Sequence, residues 1–347
     1  MTRINNLREK FDDQTDFLIF NQINIAYFCN FAGASALLIR KKGDNVLYVN
    51  SVNYEQAKTE AEDVTVELIK RGENLMEKIA RQASNKRFAV DTLQIEGWRA
   101  LAKAVGGEEK IEIASKQIRE LRKIKDNAEI QLIRQACKLA NIGIQKASET
   151  IRPGIKEKEV AAEAEYAMRR AGADGTAFDT IVASGFCCAY PHGTFQEKMI
   201  EDGDFVVVDL GACYHFYRSD ITRTFVAGKN SEKQIQIFET VKKAQQSAIE
   251  SIKPGVPAKE VDKVARRIIE EAGFCDFFVH NLGHGVGLEV HEAPILSPDS
   301  KDILEKGNVI TVEPGVYLPG FGGVRIEDTV LVTKYGVEKL TDSPYLT

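Results

Sequence analysis

No proline precedes Pro153 in this 347-residue chain, although nine follow from that point on. Histidine is scarcer: five, at 192, 215, 280, 284 and 291, all within 100 consecutive residues. Nothing in the first 150 residues therefore looks like assembled chemistry. The six cysteines (29, 137, 187, 188, 213 and 275) form no CxxC pair and no disulfide-like framework, and Cys187 and Cys188 are too close in the chain to bridge well. Reduced thiols in a cytosolic protein are the plain reading. No cysteine has a convincing base beside it, which disfavours a thiol nucleophile. No run approaches the roughly 18 apolar residues of a membrane span. The polar start MTRINNLREKFDD has no apolar core of signal-peptide length, so a cytoplasmic location is expected. Basic blocks are also missing: 46 Lys and Arg against 51 Asp and Glu alternate along the chain and leave a net charge of −5, which disfavours a nucleic-acid partner. There is no phosphate cradle of the P-loop type and no Ser–His pattern, which argues against nucleotide chemistry and serine hydrolysis.

What is present suffices for one large core or two ordinary ones, since 44% of residues are hydrophobic. The first part alternates short elements. Strands are expected at 17–21, 64–69, 88–91 and 111–114, with a hairpin of 35–40 and 45–50 around the turn Lys42-Gly43-Asp44. Helices are expected at 54–62, 75–84 and 96–104. The one tryptophan, Trp98, reads as helix packing. From Ser115 to Thr150 the pattern is helical and charged, linking this α/β domain (residues 1–118) to a second, α+β domain (residues 119–347).

The second domain contains an internal repeat. Ile151-Arg152-Pro153-Gly154 returns as Ile252-Lys253-Pro254-Gly255, Lys158-Glu159-Val160 as Lys259-Glu260-Val261, and Ala171-Gly172 as Ala272-Gly273, each 101 positions on. Each copy places a proline-glycine turn before an amphipathic helix that stops at the glycine. A second register aligns GDFV (203–206) with GNVI (307–310) and sets Asp209 over Glu313, with Asp220 falling near Glu327.

These four carboxylates sit in or beside apolar runs, VVVDLG and VITVEPG among them. An ionised carboxylate in such a place is costly without a cation or many donors. With His284 they form a set of four negative charges and one imidazole, which suits two divalent ions on oxygen-rich ligands. Two adjacent antiparallel strands would bring Asp209 and Asp220 to one sheet face. In HNLGHGVGLEVH, His280, His284 and His291 follow at spacings of four and seven. The glycines around His284 permit close backbone approach. His280 and His291 are read as substrate-facing or as structural histidines, and His192 in AYPHG as a site residue or a surface-turn histidine. His215 reads as non-catalytic. Metal-assisted hydrolysis of a C–N bond is the leading class.

The stretches VDLGACYHFYRSDITRTF, HNLGHGVGLEVHEAP, VEPGVY and GGVRIEDT resemble the signatures of the creatinase/prolidase "pita-bread" metallopeptidases, closest to the proline-specific members. The resemblance implies an α/β N-terminal domain and a pita-bread catalytic domain with a pseudo-two-fold repeat. It also implies that Asp209 binds one metal, that Asp220 and Glu327 bridge two, and that His284 and Glu313 bind the second. By the same resemblance Glu313 is the proton shuttle, and His192 and His291 contact substrate and stabilise the intermediate. His280 lines the proline pocket. Tyr317 and Arg325 support the bridging carboxylates, though Arg325 reads equally as a salt-bridge partner of the acidic cluster. The cofactors implied are two ions per subunit, manganese or cobalt, with zinc possible; a homodimer is implied too. The activity implied is hydrolysis of Xaa-Pro dipeptides. The alternatives are release of the first residue from longer Xaa-Pro peptides, or a non-catalytic binding protein of the same fold.

Overall fold

A computed structural model describes residues 3–193 and 197–345. The chain divides into two compact units, residues 1–122 and 123–347. The first contains α1 (Arg3–Arg8), β1 (Thr15–Ile19), α2 (Gln22–Cys29), β2 (Ala36–Ile39), β3 (Val46–Val49), α3 (Tyr54–Glu60), β4 (Thr65–Leu68), α4 (Leu75–Gln82), β5 (Arg87–Val90), α5 (Ile95–Val105), β6 (Ile111–Ile113) and all but the last residue of α6 (Ser115–Lys123), Lys123 opening the second unit. Its six strands form one sheet in the order β4-β3-β2-β1-β5-β6. The strands β1, β2 and β3 are buried at every residue, and apart from Thr15 and Asp16 at the start of β1 they are apolar or aromatic. Trp98 packs, partly buried, against the apolar cluster of this unit.

The expected strands, hairpin and three later helices all appear, but α1 and α2 were not anticipated. In α2, QINIAYFC, six of eight residues are buried, so the segment carries no polar stripe from which a period could be read. The helical stretch 115–150 is interrupted. Asp126 accepts from the Glu129 N–H at 2.9 Å while Glu129 accepts from the Asp126 N–H at 2.9 Å. That capping box starts a new helix.

The second unit opens on α7 (Asn127–Thr150) and α8 (Glu157–Arg170). Then follow β7 (Gly175–Thr176), β8 (Ile181–Ser184), β9 (Asp204–Leu210), β10 (Ala212–Tyr214), β11 (Tyr217–Arg218) and β12 (Ile221–Ala227). A second helix pair, α9 (Glu232–Ser251) and α10 (Ala258–Glu271), precedes β13 (Gly283–Gly285), β14 (Glu292–Leu296), β15 (Val309–Val312), β16 (Gly315–Leu318), β17 (Gly322–Arg325), β18 (Asp328–Val332) and β19 (Val337–Lys339). Both halves thus place a helix pair before a sheet. In each, two long antiparallel strands (β9 with β12, β15 with β18) are joined through a short hairpin (β10–β11, β16–β17).

Strand alternation assigns the faces. On β12 and β15, Ile221, Phe225, Ile310 and Val312 enter the apolar clusters that include residues of the helix pairs. The intervening positions, Thr222 and Thr311 and next along Asp220 and Glu313, fall on the opposite face. On β9, Val206, Val208 and Leu210 join the α7–α8 cluster, leaving Asp209 on the other side. Thr222 pairs with Asp209 and Thr311 with Thr329 across the strands. The buried ion pair Arg223–Asp328 (2.8 Å) ties β12 to the start of β18. Among the described residues no helix is long and apolar enough to cross a membrane, and all six cysteines are free thiols.

Candidate metal centre

The polar faces of the two strand pairs border one cavity of about 330 Å³, lined by all five candidate ligands together with His192, His280, His291 and Arg325. Asp220, His284 and Glu327 are buried, with ligand-type atoms all within 4.8 Å of one another. His284 Nε2 stands 3.8 Å from Asp220 Oδ2 and 3.1 Å from Glu313 Oε1. Asp209 is engaged differently: its Oδ2 accepts from Arg325 Nη2 at 2.6 Å.

Local structure explains how His284 gets there. It sits between two glycines that the backbone cannot replace: a Cβ on Gly283 would lie 2.1 Å from Thr311 O, and one on Gly285 2.2 Å from Ala293 O. Strand β13 is therefore pressed closely against its neighbours. The His284 N–H donates to Thr311 Oγ1 at 3.1 Å, and that hydroxyl donates to Glu313 Oε1 at 3.1 Å. On the other strand pair Thr222 Oγ1 donates to Glu327 Oε2 at 2.7 Å and accepts from Arg325 Nε at 3.2 Å. These two threonines are the functional neighbours that sequence reasoning missed. The signal was there: each is a polar residue two positions from a carboxylate, on the same strand face.

Two acceptors remain unanswered. Asp209 Oδ1 and Glu327 Oε1 are buried and have no hydrogen-bond partner among the described residues, an arrangement native proteins avoid unless something else supplies the partner. Burial, then the charges of Glu327 and Asp209, push the Asp220 carboxyl well above its usual range. Burial, then Glu313 and Asp209, do the same to Glu327. Four carboxylates crowded in this way, two with orphaned oxygens and one imidazole among them, form a donor set that fits hard or borderline divalent cations. Glu313 behaves otherwise: burial opposes its charge, but the hydrogen bond and charge of His284, then His280 and Arg325, hold it at about 2.

The remaining histidines separate. His280 Nε2 is 2.8 Å from the Tyr317 hydroxyl, which accepts from Arg325 Nη1 at 3.0 Å. A continuous hydrogen-bonded chain thus runs His280–Tyr317–Arg325–Asp209. The His291 ring lies 4.3 Å from that of His284, and burial, then the charge of His284, lower its pKa, so it is neutral near pH 7. His192 is exposed in a turn at the cavity edge. His215 is absent from the cavity lining and caps the β10–β11 hairpin in the left-handed region (φ 47°).

Comparison with known proteins gives two family matches: metallopeptidase family M24 over residues 131–334, and the creatinase/prolidase N-terminal domain over residues 3–124. An Xaa-Pro dipeptidase of Pyrococcus furiosus is 43% identical over 96% of this chain and 95% of its own. The crystal structure of the prolidase from Pyrococcus horikoshii superposes with a TM-score of 0.93 at 42% identity, over 99% of this chain and 98% of that one. An X-Pro aminopeptidase from Thermotoga maritima superposes with a TM-score of 0.91 at 37% identity, over 98% and 99%.

Proposed function

Because the chain belongs to metallopeptidase family M24, with a pita-bread catalytic domain that follows a creatinase-type α/β domain in sequence, we propose that it hydrolyses Xaa-Pro dipeptides with two divalent ions per chain. The observation that carries this reading is the pair of buried, partnerless oxygens, Asp209 Oδ1 and Glu327 Oε1, facing a cluster of further carboxylates and one imidazole. Asp209, oriented by Arg325, would hold one ion, His284 and Glu313 would hold the other, and Asp220 and Glu327 would contribute to both. Divalent ions held there lower the pKa of water and polarise a carbonyl. The mixed oxygen and nitrogen donors accept manganese, cobalt or zinc.

Glu313 takes the proton released by the attacking water and passes it to the departing imino nitrogen. Neutral His291 donates a hydrogen bond to the carbonyl oxygen as charge develops there, with His192 reaching it from the cavity edge. Arg325, fixed by four acceptors among which is Asp209, keeps that carboxylate oriented. His280 lines the place of the proline ring, with Tyr317 fixing its imidazole and Phe178, Ile181, Val290 and Ile295 forming apolar wall. The bond cut is a tertiary amide with cis and trans forms, which ordinary peptidases handle poorly.

The similarity to a relative named Xaa-Pro dipeptidase supports the dipeptide reading. The similarity to an X-Pro aminopeptidase supports a second reading, release of the first residue from longer Xaa-Pro peptides. Turnover of Gly-Pro or Met-Pro against an Xaa-Pro tripeptide distinguishes them: the dipeptide is the better substrate, and tripeptide preference overturns the choice. A homodimer in the cytoplasm, with the N-terminal domain at residues 1–118, completes the proposal. The six free thiols are consistent with that compartment.

A further inference from the structure

We propose that Lys125 is a positioning residue: its buried pair with Glu292 sets the loop from Gly287 to Val290, and through that loop the placement of His291 at the centre. The proposal rests on the substrate-facing role given to His291 above.

The pair is enclosed. The Lys125 side chain is 1% exposed and that of Glu292 6%, with Nζ 3.1 Å from Oε2. Lysine is almost never buried without a partner, and removing both charges from water is costly. A buried pair is therefore weak evidence for stability and better evidence that a direction is being fixed. Both ends of this one are anchored. The Lys125 backbone N–H donates to Gly307 O at 2.9 Å, and Glu292 Oε1 accepts from the Glu289 N–H at 2.9 Å. The loop lies directly over the pair. A Cβ on Gly287 would be 2.8 Å from Glu292 Oε2 and 3.0 Å from Lys125 Cε.

Arg218 holds the same loop by its carbonyls: its backbone N–H donates to Gly287 O at 2.8 Å and its Nε to Leu288 O at 3.1 Å. Held by both, the loop delivers Val290 and His291 to the cavity. Glu292, the next residue, opens β14 and pairs with Gly285, the neighbour of His284. The other end of β14 is tied by the same short stretch of chain. Lys123 Nζ meets Asp302 Oδ1 at 3.0 Å, and Asp302 Oδ2 accepts from the Ile295 N–H at 3.0 Å. Two lysines two positions apart thus bracket the strand that follows His291. Misplacing a group at a reacting centre by about 1 Å costs on the order of a hundredfold in rate, so a rigid tie has a kinetic use here.

The test is a double-mutant cycle of Lys125→Met and His291→Ala, with kcat, KM, bound metal and melting temperature measured for each protein. Lys125→Met is expected to keep wild-type metal content and to lower kcat about 10- to 100-fold with little change in KM. In the His291→Ala background the same substitution is expected to cost less than about twofold, because the residue through which it acts is gone. An equal loss in both backgrounds overturns the proposal, as does a Lys125→Met enzyme within about twofold of wild type while His291→Ala is impaired. Wild-type turnover by His291→Ala overturns the His291 assignment itself, and the proposal with it. If Lys125→Met does not fold, Glu292→Gln takes its place in the cycle under the same criteria, since it keeps the acceptor for Glu289 and removes only the charge.

Discussion

Replacing Arg325 by methionine removes a guanidinium whose side chain is only 4% exposed. It donates to Asp209 Oδ2 at 2.6 Å, the Tyr317 hydroxyl at 3.0 Å, Pro191 O at 3.1 Å and Thr222 Oγ1 at 3.2 Å. Methionine fills much of the volume but answers none of these acceptors. In metal-free protein Asp209 then faces Glu313 and the other carboxylates without its counter-charge. Breaking a buried pair from one side costs about 3–5 kcal/mol. For a unit of this size that corresponds to a fall in melting temperature of roughly 6–20 °C. Saturation with metal places a cation beside Asp209 again, so the difference between variant and wild type shrinks when metal is present. Thermal unfolding of both proteins with chelator and with saturating manganese reads this out. Arg325→Lys should recover only part of the loss, because an ammonium cannot reproduce the planar fork. A metal-free Arg325→Met protein within about 1 kcal/mol of wild type would refute the reasoning. It would mean that Asp209 is compensated by something other than Arg325.

Asp220→Asn should fold, bind less metal at equal free-ion concentration and lose turnover, since it removes a ligand proposed to bridge both ions; near-normal turnover with full metal content would contradict that role. Thr311→Val removes the hydroxyl between the His284 N–H and Glu313 Oε1, at a cost of about 1–3 kcal/mol in stability, and unchanged melting would show that this hydroxyl is not needed. The pH dependence of metal-free protein has a definite sign. Asp220 and Glu327 are raised in the folded state by burial and by neighbouring carboxylates. Below their unfolded values near 4 both states are protonated; as pH rises past them the unfolded chain ionises first, so the folded metal-free protein loses stability. Ion binding requires those groups ionised, so the melting-temperature gain on adding metal should grow from about pH 5 to pH 8. A gain constant across that range would be inconsistent with these two groups as ligands.

Much of this organisation is readable in the sequence, for physical reasons that differ from place to place. The internal repeat is visible because each half must present the same alternation: apolar residues toward a helix pair and a carboxylate at the same strand position. That is why Asp209 aligns with Glu313 and why Asp220 falls near Glu327. His284 was found because its two glycines are demanded by backbone approaches of 2.1 and 2.2 Å. Helix α2 escaped notice because a helix buried nearly all round has no amphipathic period. Thr222 and Thr311 escaped because a threonine in a strand is ordinary, and only the third dimension shows which hydroxyl meets which carboxylate. The different engagement of Asp209, bound to Arg325 and not in the tight trio of Asp220, His284 and Glu327, depends on tertiary geometry that spacing along the chain does not carry.

The central claim is that the five residues hold two ions. Elemental analysis of metal-free protein dialysed against saturating manganese and then freed of excess ion tests it most directly, with anomalous diffraction to place each ion. Two ions per chain are expected, one against Asp209, one against His284 and Glu313, and both in contact with Asp220 and Glu327. A single ion, or none, under those conditions would contradict the claim.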